Sequence, residues 1–384
     1  MKPQFNPRYP SVEDLRYKAR KRIPKFAYEY LEGGCNEEVN LSKNTSDIRE
    51  IELLPQYLKK YVGPDMKTDL FGHLYDAPFG IAPVGLQGLI WPNSPEILAA
   101  AAVKHNIPFI LSTVSTSTIE RISEITEGKA WFQLYHPAQE TLRDQIIKRA
   151  AGHCPVLVIL SDVPTFGYRN KEIKNGLSMP PRMTIGNILQ IMGRPAWMLR
   201  TAIHGRPSFK TMKPYMPRAM NMRHLGLFMN RTFDGRLDED RIAAIRDLWK
   251  GKLVLKGIVN EIDVEKSIQL GIDGIIVSNH GGRQLDAGQS AIRSLGGIVE
   301  KYKGRIKIMM DSGLRSGPDI ARTLASGAEF AFLGRTFMYG VAALGNGGAD
   351  HTIVILKRQL QQIMEQVCCE KIGDLQDHLI KKPR

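Results

Sequence analysis

The sequence predicts an α/β protein built as an eight-stranded barrel, and two observations support this fold class. Short, continuously apolar runs bounded by turn residues occur eight times: Phe79–Val84, Ile107–Leu111, Ala130–Leu134, Val156–Leu160, Leu253–Leu255, Gly274–Val277, Ile306–Met310 and Phe330–Leu333. Such runs are typical of parallel strands covered on both faces. Helical patterns lie between most of them, as at Pro95–His105, Ala138–Ala151, Ile262–Leu270 and Pro318–Ser326. Repeated alternation of strand and helix predicts a (β/α)8 barrel, also called a TIM barrel.

The predicted barrel carries two additions within a single domain that spans residues 1–384. Residues 1–70 precede the first run, and we expect them to form a helical extension that closes one end of the barrel. Nearly one hundred residues separate the fourth run from the fifth, whereas most other runs lie about 20 to 30 residues apart. The surplus predicts a long insertion at residues 178–233 after strand four, followed by a helix at Arg236–Lys250 that leads into strand five.

The insertion contributes much of the formal net charge of +14. It contains no Asp or Glu and nine cations, with Trp, Met and Ile among them: Arg182, Arg194, Arg200, Arg206, Lys210, Lys213, Arg218, Arg223 and Arg231. Basic residues interleaved with apolar ones are typical of a segment that binds an anionic membrane surface. A solvated lid over the active site is the alternative. Nucleic acid is not expected as a partner, because the segment lacks stacking aromatics at regular intervals.

Targeting and redox signals favour a reducing compartment. Met1–Arg22 is polar and basic without the apolar core of a signal peptide, and no run in the sequence reaches the roughly 18 apolar residues of a spanning helix. The four cysteines have neither metal-ligand nor disulfide-framework spacing. We therefore expect a cytoplasmic protein, attached peripherally to the cytoplasmic side of the inner membrane if the insertion binds lipid.

Polar residues follow the predicted strands, at the end where barrels of this class hold their active sites. The strand ends supply Pro83-Val84-Gly85, Ser112-Thr113, Gln133 and Tyr135, Asp162, Lys256, Asn279-His280, Asp311-Ser312-Gly313 and Gly334-Arg335. Arg283 follows His280 by three residues. This places a proton acceptor beside a side chain that binds carboxylates through two parallel hydrogen bonds. The pair suits chemistry on a hydroxy acid.

Two of these strand ends fit a phosphate site. Asp311–Gly317, which contains Arg315, follows the seventh run, and Gly334-Arg335 follows the eighth. Barrels commonly bind phosphate here through backbone N–H groups and a helix N-terminus. Ordinary turn chemistry would explain the glycines but not both arginines.

The nine residues Ser278-Asn279-His280-Gly281-Gly282-Arg283-Gln284-Leu285-Asp286 resemble the active-site signature of a known family. It is the FMN-dependent L-2-hydroxy acid oxidase and dehydrogenase family, and the resemblance runs from about Ser11 to about Asp374. Within the family, the membrane-associated L-lactate dehydrogenase type is the most similar. The resemblance implies FMN as cofactor and oxidation of an L-2-hydroxy acid to the 2-keto acid.

The resemblance also assigns roles to individual residues. It implies that His280 is the catalytic base and that Asp162 pairs with it, although an Asp after a strand could instead cap the next helix. Four residues match substrate-binding positions: Tyr30, Tyr135, Arg169 and Arg283. The two tyrosines could otherwise be core aromatics with an exposed hydroxyl.

Thirteen residues match flavin-binding positions. Lys256 corresponds to a lysine near flavin N1, where a cation stabilises the anionic reduced ring. The others are Pro83, Val84, Gly85, Ser112, Gln133 and Ser278 around the ring, and Asp311, Ser312, Gly313, Arg315, Gly334 and Arg335 toward the phosphate.

Three departures from the family pattern bear on specificity. Leu160 precedes Ser161-Asp162 where the family usually has Thr-Val-Asp, which removes a flavin contact. Gly85 stands where many oxidases have alanine, which favours a dehydrogenase. Val114 replaces a tryptophan of the glycolate-oxidising members, so lactate or a larger 2-hydroxy acid is the expected substrate.

The electron acceptor follows from the same comparison. We expect quinone or another non-oxygen acceptor, and a homotetramer, as is common among relatives. The first alternative is an oxidase that produces hydrogen peroxide. A more remote alternative is a flavin- or membrane-binding protein without catalytic activity, which would be expected to lack an intact set of strand-end residues.

Overall fold

A computed structural model describes residues 5–178, 182–216, 228, 232–233 and 236–380. Ten strands occur in the described part: β1 Thr68–Leu70, β2 His73–Tyr75, β3 Phe79–Ile81, β4 Ile110–Ser112, β5 Trp131–Leu134, β6 Val156–Leu160, β7 Lys252–Ile258, β8 Gly274–Val277, β9 Lys307–Met310 and β10 Phe330–Leu333. The eight strands β3 to β10 are parallel and lie in the order β3-β10-β9-β8-β7-β6-β5-β4. A parallel bridge between Ile81 and Phe109 closes the barrel. Each predicted apolar run overlaps one barrel strand, so the predicted fold class is confirmed.

Helices connect the strands and surround the barrel. They are α1 Val12–Arg22, α2 Lys25–Glu32, α3 Val39–Arg49, α4 Gln87–Ile90, α5 Ser94–Lys104, α6 Ile119–Thr126, α7 Glu140–Ala151, α8 Asn170–Lys174, α9 Ile185–Met192, α10 Pro195–His204, α11 Glu239–Leu248, α12 Glu261–Gln269, α13 Ala291–Tyr302, α14 Gly317–Ala325, α15 Arg335–Leu344 and α16 Gly348–Val367. Short 3₁₀ turns occur at Lys213–Tyr215, Gly345–Gly347 and Ile372–His378. Several helices begin at a side chain that accepts an N–H of the first turn, as Asp238 and Ser316 do.

The barrel interior is filled by large apolar side chains rather than left as a pore. Trp131, Phe330 and Phe332 are almost fully buried and contact one another's rings. The hairpin of β1 and β2 covers the amino end of the barrel, where Phe71 contacts Trp131 and Tyr75 contacts Phe330. A β-hairpin therefore plugs the amino end of the barrel.

The helices of residues 1–70 pack instead around the opposite, carboxyl end of the barrel. The carbonyl oxygens of Leu31 and Gly33 accept hydrogen bonds from Arg335, which follows β10. The side chains of Asn40 and Asn44 on α3 bond to Asn279, which follows β8. The amino-terminal helices thus form part of the wall around the strand ends.

The insertion after β6 folds onto the same end. In its described part, Trp197 is buried and donates from Nε1 to the carbonyl oxygens of Leu89 and Ile90. Thr211 donates from Oγ1 to the Ser117 carbonyl oxygen. Three of its predicted cations, Arg218, Arg223 and Arg231, lie outside the described residues.

Candidate active site

A single cavity of about 1260 Å³ opens at the carboxyl ends of the barrel strands. Every predicted site residue lines it except Asp162 and Ser278. Asp162 lies behind His280, and the fully buried Ser278 accepts a hydrogen bond from Lys256 and another from the backbone N–H of His280. The strand ends therefore bring the predicted residues together, with these two in supporting positions.

His280 and Asp162 form a hydrogen-bonded pair at the centre of the site, in which His280 lines the cavity. The distance between His280 Nδ1 and Asp162 Oδ1 is 3.1 Å, which leaves Nε2 directed into the cavity. Burial lowers the pKa of His280 below its ordinary value, and the carboxylate of Asp162 only partly offsets this. Burial works against ionisation of Asp162 as well, but His280 and Lys256 outweigh it and lower its pKa. A neutral imidazole beside a carboxylate can accept a proton at neutral pH.

Two arginines share one carboxylate of the protein in this cavity. Glu172 Oε1 lies 3.4 Å from Arg169 Nη1 and forms a close ion pair with Arg283 Nη2. Arg283 Nη1 donates to the carbonyl oxygens of Tyr30 and Gly33 at 2.8 and 2.9 Å. Burial, followed by repulsion from Arg169, lowers the pKa of Arg283. The arginines are therefore fixed in place and able to bind an anion.

Two tyrosine hydroxyls complete the polar part of the cavity. Tyr135 lies 3.4 Å from His280 Nε2, and Tyr30 donates to the Gly85 carbonyl oxygen at 3.4 Å. Burial raises the pKa of both phenols, so both hydroxyls stay protonated at neutral pH. They are available as hydrogen-bond donors to a ligand.

Lys256 is held at the base of the cavity by an acid and a hydroxyl. Its Nζ lies 3.0 Å from Asp311 Oδ2 and donates to Ser278 Oγ at 2.9 Å. The strand bulges immediately afterwards, where Gly257 has φ +101° and a Cβ would lie 2.5 Å from Asp162 Cβ. Only glycine allows this close approach, which brings β6 and β7 together below the His280–Asp162 pair.

The loop that carries His280 has a left-handed backbone conformation. His280 has φ +59° and Gly282 has φ +74°, and a Cβ on Gly282 would meet Leu41 Cα at 2.5 Å. A non-glycine residue in this region costs energy unless the surroundings stabilise it. The Asn279 carboxamide does so by bonding to Asn40 and Asn44, each at 2.7 Å. Helix α3 thereby fixes the position of the candidate base.

The cavity has polar groups that fit FMN. The Nε2 of Gln133 is buried and has no hydrogen-bond partner among the described residues, while its Oε1 accepts from Ser112 Oγ. Such a donor needs an acceptor, and a flavin carbonyl supplies one. Burial, followed by the nearby cations Arg315 and Arg283, lowers the pKa of Arg335. A phosphate group would relieve this accumulation of positive charge.

Arg335 is also held by hydrogen bonds to the protein backbone, which the sequence did not indicate. Three of its N–H groups donate to the carbonyl oxygens of Leu31, Gly281 and Gly33. Its guanidinium therefore joins the amino-terminal helices to the His280 loop. Arg315, which donates to the Leu314 carbonyl oxygen, lines the cavity beside it.

The sequence interpretation missed several residues of the site. The most important of them is Glu172. The only hint of its role in the sequence was that an acid follows Arg169 by three positions. Asn40 and Asn44 lie more than two hundred residues from the loop they hold. The cavity wall also includes Phe166 and Phe233, whose roles no sequence pattern indicated.

Comparison with known proteins identifies the family of the chain. Residues 19–382 match the FMN-dependent dehydrogenase family. An L-lactate dehydrogenase of Vibrio parahaemolyticus is 34% identical over 373 residues, covering 96% of this chain and 98% of that protein. An (S)-mandelate dehydrogenase of Pseudomonas putida is 34% identical over 365 residues, covering 95% and 92%. The crystal structure of a monotopic membrane (S)-mandelate dehydrogenase has a TM-score of 0.92 at 33% identity, covering 97% of this chain and 100% of that one.

The fold and the cavity define a TIM barrel whose strand ends hold two arginines and a His–Asp pair around one cavity. The chain belongs to the FMN-dependent dehydrogenase family and is an FMN-dependent 2-hydroxy acid oxidoreductase. The family resemblance and the cofactor predicted from the sequence are both confirmed. The roles of individual residues remain proposals.

Proposed function

We propose that the chain oxidises L-lactate or a larger L-2-hydroxy acid to the 2-keto acid and passes the electrons to a membrane quinone. The observation that supports the chemistry best is His280, which is hydrogen-bonded to Asp162 and faces the same cavity as Arg169 and Arg283. A proton acceptor and a carboxylate-binding pair are the two requirements of a 2-hydroxy acid site.

In this proposal the arginines bind the substrate carboxylate and Tyr30 holds its hydroxyl. His280 Nε2 takes one proton, from either the hydroxyl or the α-carbon, and Asp162 stabilises the imidazolium that forms. Tyr135, 3.4 Å from that nitrogen, orients it. When bound, FMN would accept the two electrons together with the second hydrogen that the substrate loses.

Flavin-binding roles follow from the lining of the cavity. Gln133, Ser112 and the 83–85 backbone would contact the ring, and Lys256 would lie near it. The backbone N–H groups that begin α15, together with Arg315, would hold the phosphate. Leu160 lines the cavity where the family's threonine would donate a hydrogen bond.

The space beside Val114 supports a substrate larger than glycolate. Val114 lines the cavity where the glycolate-oxidising members of the family carry a tryptophan, so the smaller side chain leaves room for a larger substrate. Phe166, Phe233 and Leu177 provide an apolar wall in the same cavity. A branched or aromatic side chain would bury apolar surface there.

The insertion supports membrane attachment through residues 178–233. Its described part exposes eight large apolar side chains between residues 183 and 203: Met183, Ile185, Ile188, Leu189, Met192, Met198, Leu199 and Ile203. Arg182, Arg194, Arg200 and Arg206 lie in the same segment. Among the described residues, no helix is long and apolar enough to span a bilayer. Apolar side chains flanked by cations fit a segment that lies in the interface.

Quinone as acceptor is supported by continuity between the cavity and this surface. Met183, Ile188 and Met198 are exposed and also line the cavity. A hydrophobic acceptor dissolved in the bilayer could therefore approach the flavin through the insertion. Attachment to the cytoplasmic side of the inner membrane and a homotetrameric assembly complete the proposal, and light scattering of the detergent-extracted protein tests the assembly.

The chemistry is tested by anaerobic flavin reduction. L-lactate, (S)-mandelate and further L-2-hydroxy acids should bleach the visible band of the purified protein, while D-lactate should not. His280→Gln should retain the flavin and lose the bleaching. A bound flavin that no 2-hydroxy acid reduces would contradict the proposed reaction.

The acceptor is tested by following reoxidation. Rapid turnover with a soluble quinone and a low yield of peroxide in air would support a dehydrogenase. Stoichiometric peroxide would favour the oxidase alternative instead.

Membrane attachment is tested by co-sedimentation with anionic vesicles. Leu189→Ser combined with Leu199→Ser should release the protein, because both side chains are about 61% exposed in the proposed contact surface. Leu58→Ser, a change at an equally apolar and fully exposed position in another part of the fold, is the matched control. Equal binding of all three proteins would contradict the proposed surface.

A further inference from the structure

Glu172 is a buried acid at the centre of the proposed substrate-binding pair. It lies on α8, lines the cavity, and is only 13% exposed. The same oxygen, Oε1, approaches Arg169 Nη1 and Arg283 Nη2. A single carboxylate oxygen therefore contacts both arginines that the proposed function assigns to the substrate carboxylate.

The charges of this cluster explain why an internal anion is needed. Two guanidinium groups close together in a buried site repel each other, and Arg169 is among the causes that lower the pKa of Arg283. Glu172 acts in the opposite sense on both arginines. In the site without substrate, its charge offsets part of this repulsion.

The donors of Arg283 are limited, so a substrate must share them. Two N–H groups on Nη1 are given to the carbonyl oxygens of Tyr30 and Gly33, and Nη2 contacts Glu172. The substrate carboxylate must therefore use the remaining N–H groups of Arg283, next to the negative charge of Glu172. Two carboxylates on one pair of cations repel each other.

Helix α8 is anchored, so Glu172 cannot withdraw by moving its backbone freely. Lys171 Nζ lies 2.6 Å from Glu38 Oε2, and Asn175 Nδ2 donates to Glu29 Oε2 at 2.6 Å. Asn170 Nδ2 donates to the Asn36 carbonyl oxygen. These contacts join α8 to the amino-terminal segment on both sides of Glu172, so a ligand would be accommodated by its side chain and not by the helix backbone.

We infer that Glu172 is a positioning residue that serves as the internal counter-anion of the substrate site, holding both arginines while the site is empty and weakening the binding of substrate and product carboxylates. The inference rests on the proposed function, because it takes the ligand of the arginine pair to be a 2-hydroxy acid. Its consequence is a site that binds moderately and releases its anionic product readily.

The test is titration of the FMN-loaded protein with oxalate, followed by the change in the flavin spectrum. Glu172→Gln keeps a hydrogen-bond acceptor next to the arginines and removes the charge. We expect it to bind oxalate about tenfold more tightly than the wild type, which corresponds to about 1.4 kcal/mol. The KM for the hydroxy acid should fall in parallel, and kcat should fall because the 2-keto acid leaves more slowly.

Two control variants separate charge from structure. Glu38→Gln removes a carboxylate that pairs with the same helix but does not touch the arginines, and it should bind oxalate as the wild type does. Glu172→Asp keeps the charge and should tighten binding less than Glu172→Gln. If Glu172→Gln loses its flavin, Glu172→Ala is titrated in its place.

Unchanged or weaker oxalate binding in Glu172→Gln overturns the inference, because a purely structural role would loosen the arginines and weaken the binding of anions. Failure of the proposed function has a different signature. In that case no 2-hydroxy acid bleaches the flavin, while the oxalate affinities of the variants still report on the role of Glu172.

Discussion

Replacement of Asp162 by Asn tests how much of the proposed catalysis depends on the ion pair with His280. The substitution keeps the size of the side chain and removes its charge at 3.1 Å from the imidazole. At that distance Coulomb's law gives an attraction of about 5 kcal/mol for an effective dielectric constant of about 20. Part of it is offset, because a neutral amide is less costly to bury than a carboxylate. We expect a loss of about 3 kcal/mol in the transition state, or about 100-fold in rate.

The assay is the anaerobic rate of flavin bleaching by stopped flow, which isolates this half of the reaction from reoxidation. Because Asp162 raises the pKa of His280 against the effect of burial, its removal lowers that pKa further. The base form then persists to lower pH, so the acidic limb of the kcat/KM profile moves down in pH while the maximal rate falls. Asp286→Asn, which alters a carboxylate of the same motif that bonds to the backbone of α3, is the control.

The reasoning about the ion pair is refuted by a bleaching rate within about threefold of the wild type, or by an acidic limb that moves to higher pH. A lower rate with an unchanged limb would show that Asp162 only orients the ring. The flavin content of each variant is measured first, since Asp162 does not line the cavity and its replacement should leave FMN binding intact.

Three further predictions use close contacts of the site. Gly85→Ala places a Cβ 2.7 Å from Val114 Cγ2, so substrate oxidation should fall at least about fivefold, and adding Val114→Ala should restore most of it in steady-state assays. Arg283→Lys loses the planar donor group that binds Tyr30 O, Gly33 O and Glu172 at once, and the KM for the hydroxy acid should rise about 10- to 100-fold with a smaller change in kcat. Gly257→Ala forces a side chain into a position with φ +101°, where its Cβ meets Asp162, and should cost about 2 kcal/mol or more of unfolding free energy in urea titrations. The contact concerned would be contradicted by unaltered activity of Gly85→Ala, by an unaltered KM of Arg283→Lys, or by an unaltered urea midpoint of Gly257→Ala.

The strand ends were the most predictable part of the site from the sequence. Parallel strands in a barrel all point their carboxyl ends to one side, so residues such as Gln133 and Lys256 must converge once the strands are recognised. Apolar runs mark those strands because both faces are covered. The convergence of distant residues therefore followed from local patterns alone.

The supporting contacts were not predictable in this way. Asn40 lies on α3, a mostly polar helix without a clear apolar face, and only the tertiary structure shows that its side chain bonds to Asn279. The hairpin at the amino end consists of two strands of three residues each, which is too short for an alternating pattern to be recognised. Such contacts depend on how elements meet in space, and a single sequence does not encode this locally.

The amino-terminal helices connect the residues at the strand ends with the residues that support them. The strand ends provide the proposed reacting groups. The His280 loop has a backbone conformation that a non-glycine residue adopts only when it is held there. Asn40 and Asn44 hold it from α3, and Arg335 holds it through the Gly281 carbonyl oxygen. Because the same arginine bonds to the end of α2, the barrel and the extension form one site. The amino-terminal extension is therefore part of the proposed site, and its removal would delete Tyr30 together with the groups that hold the His280 loop.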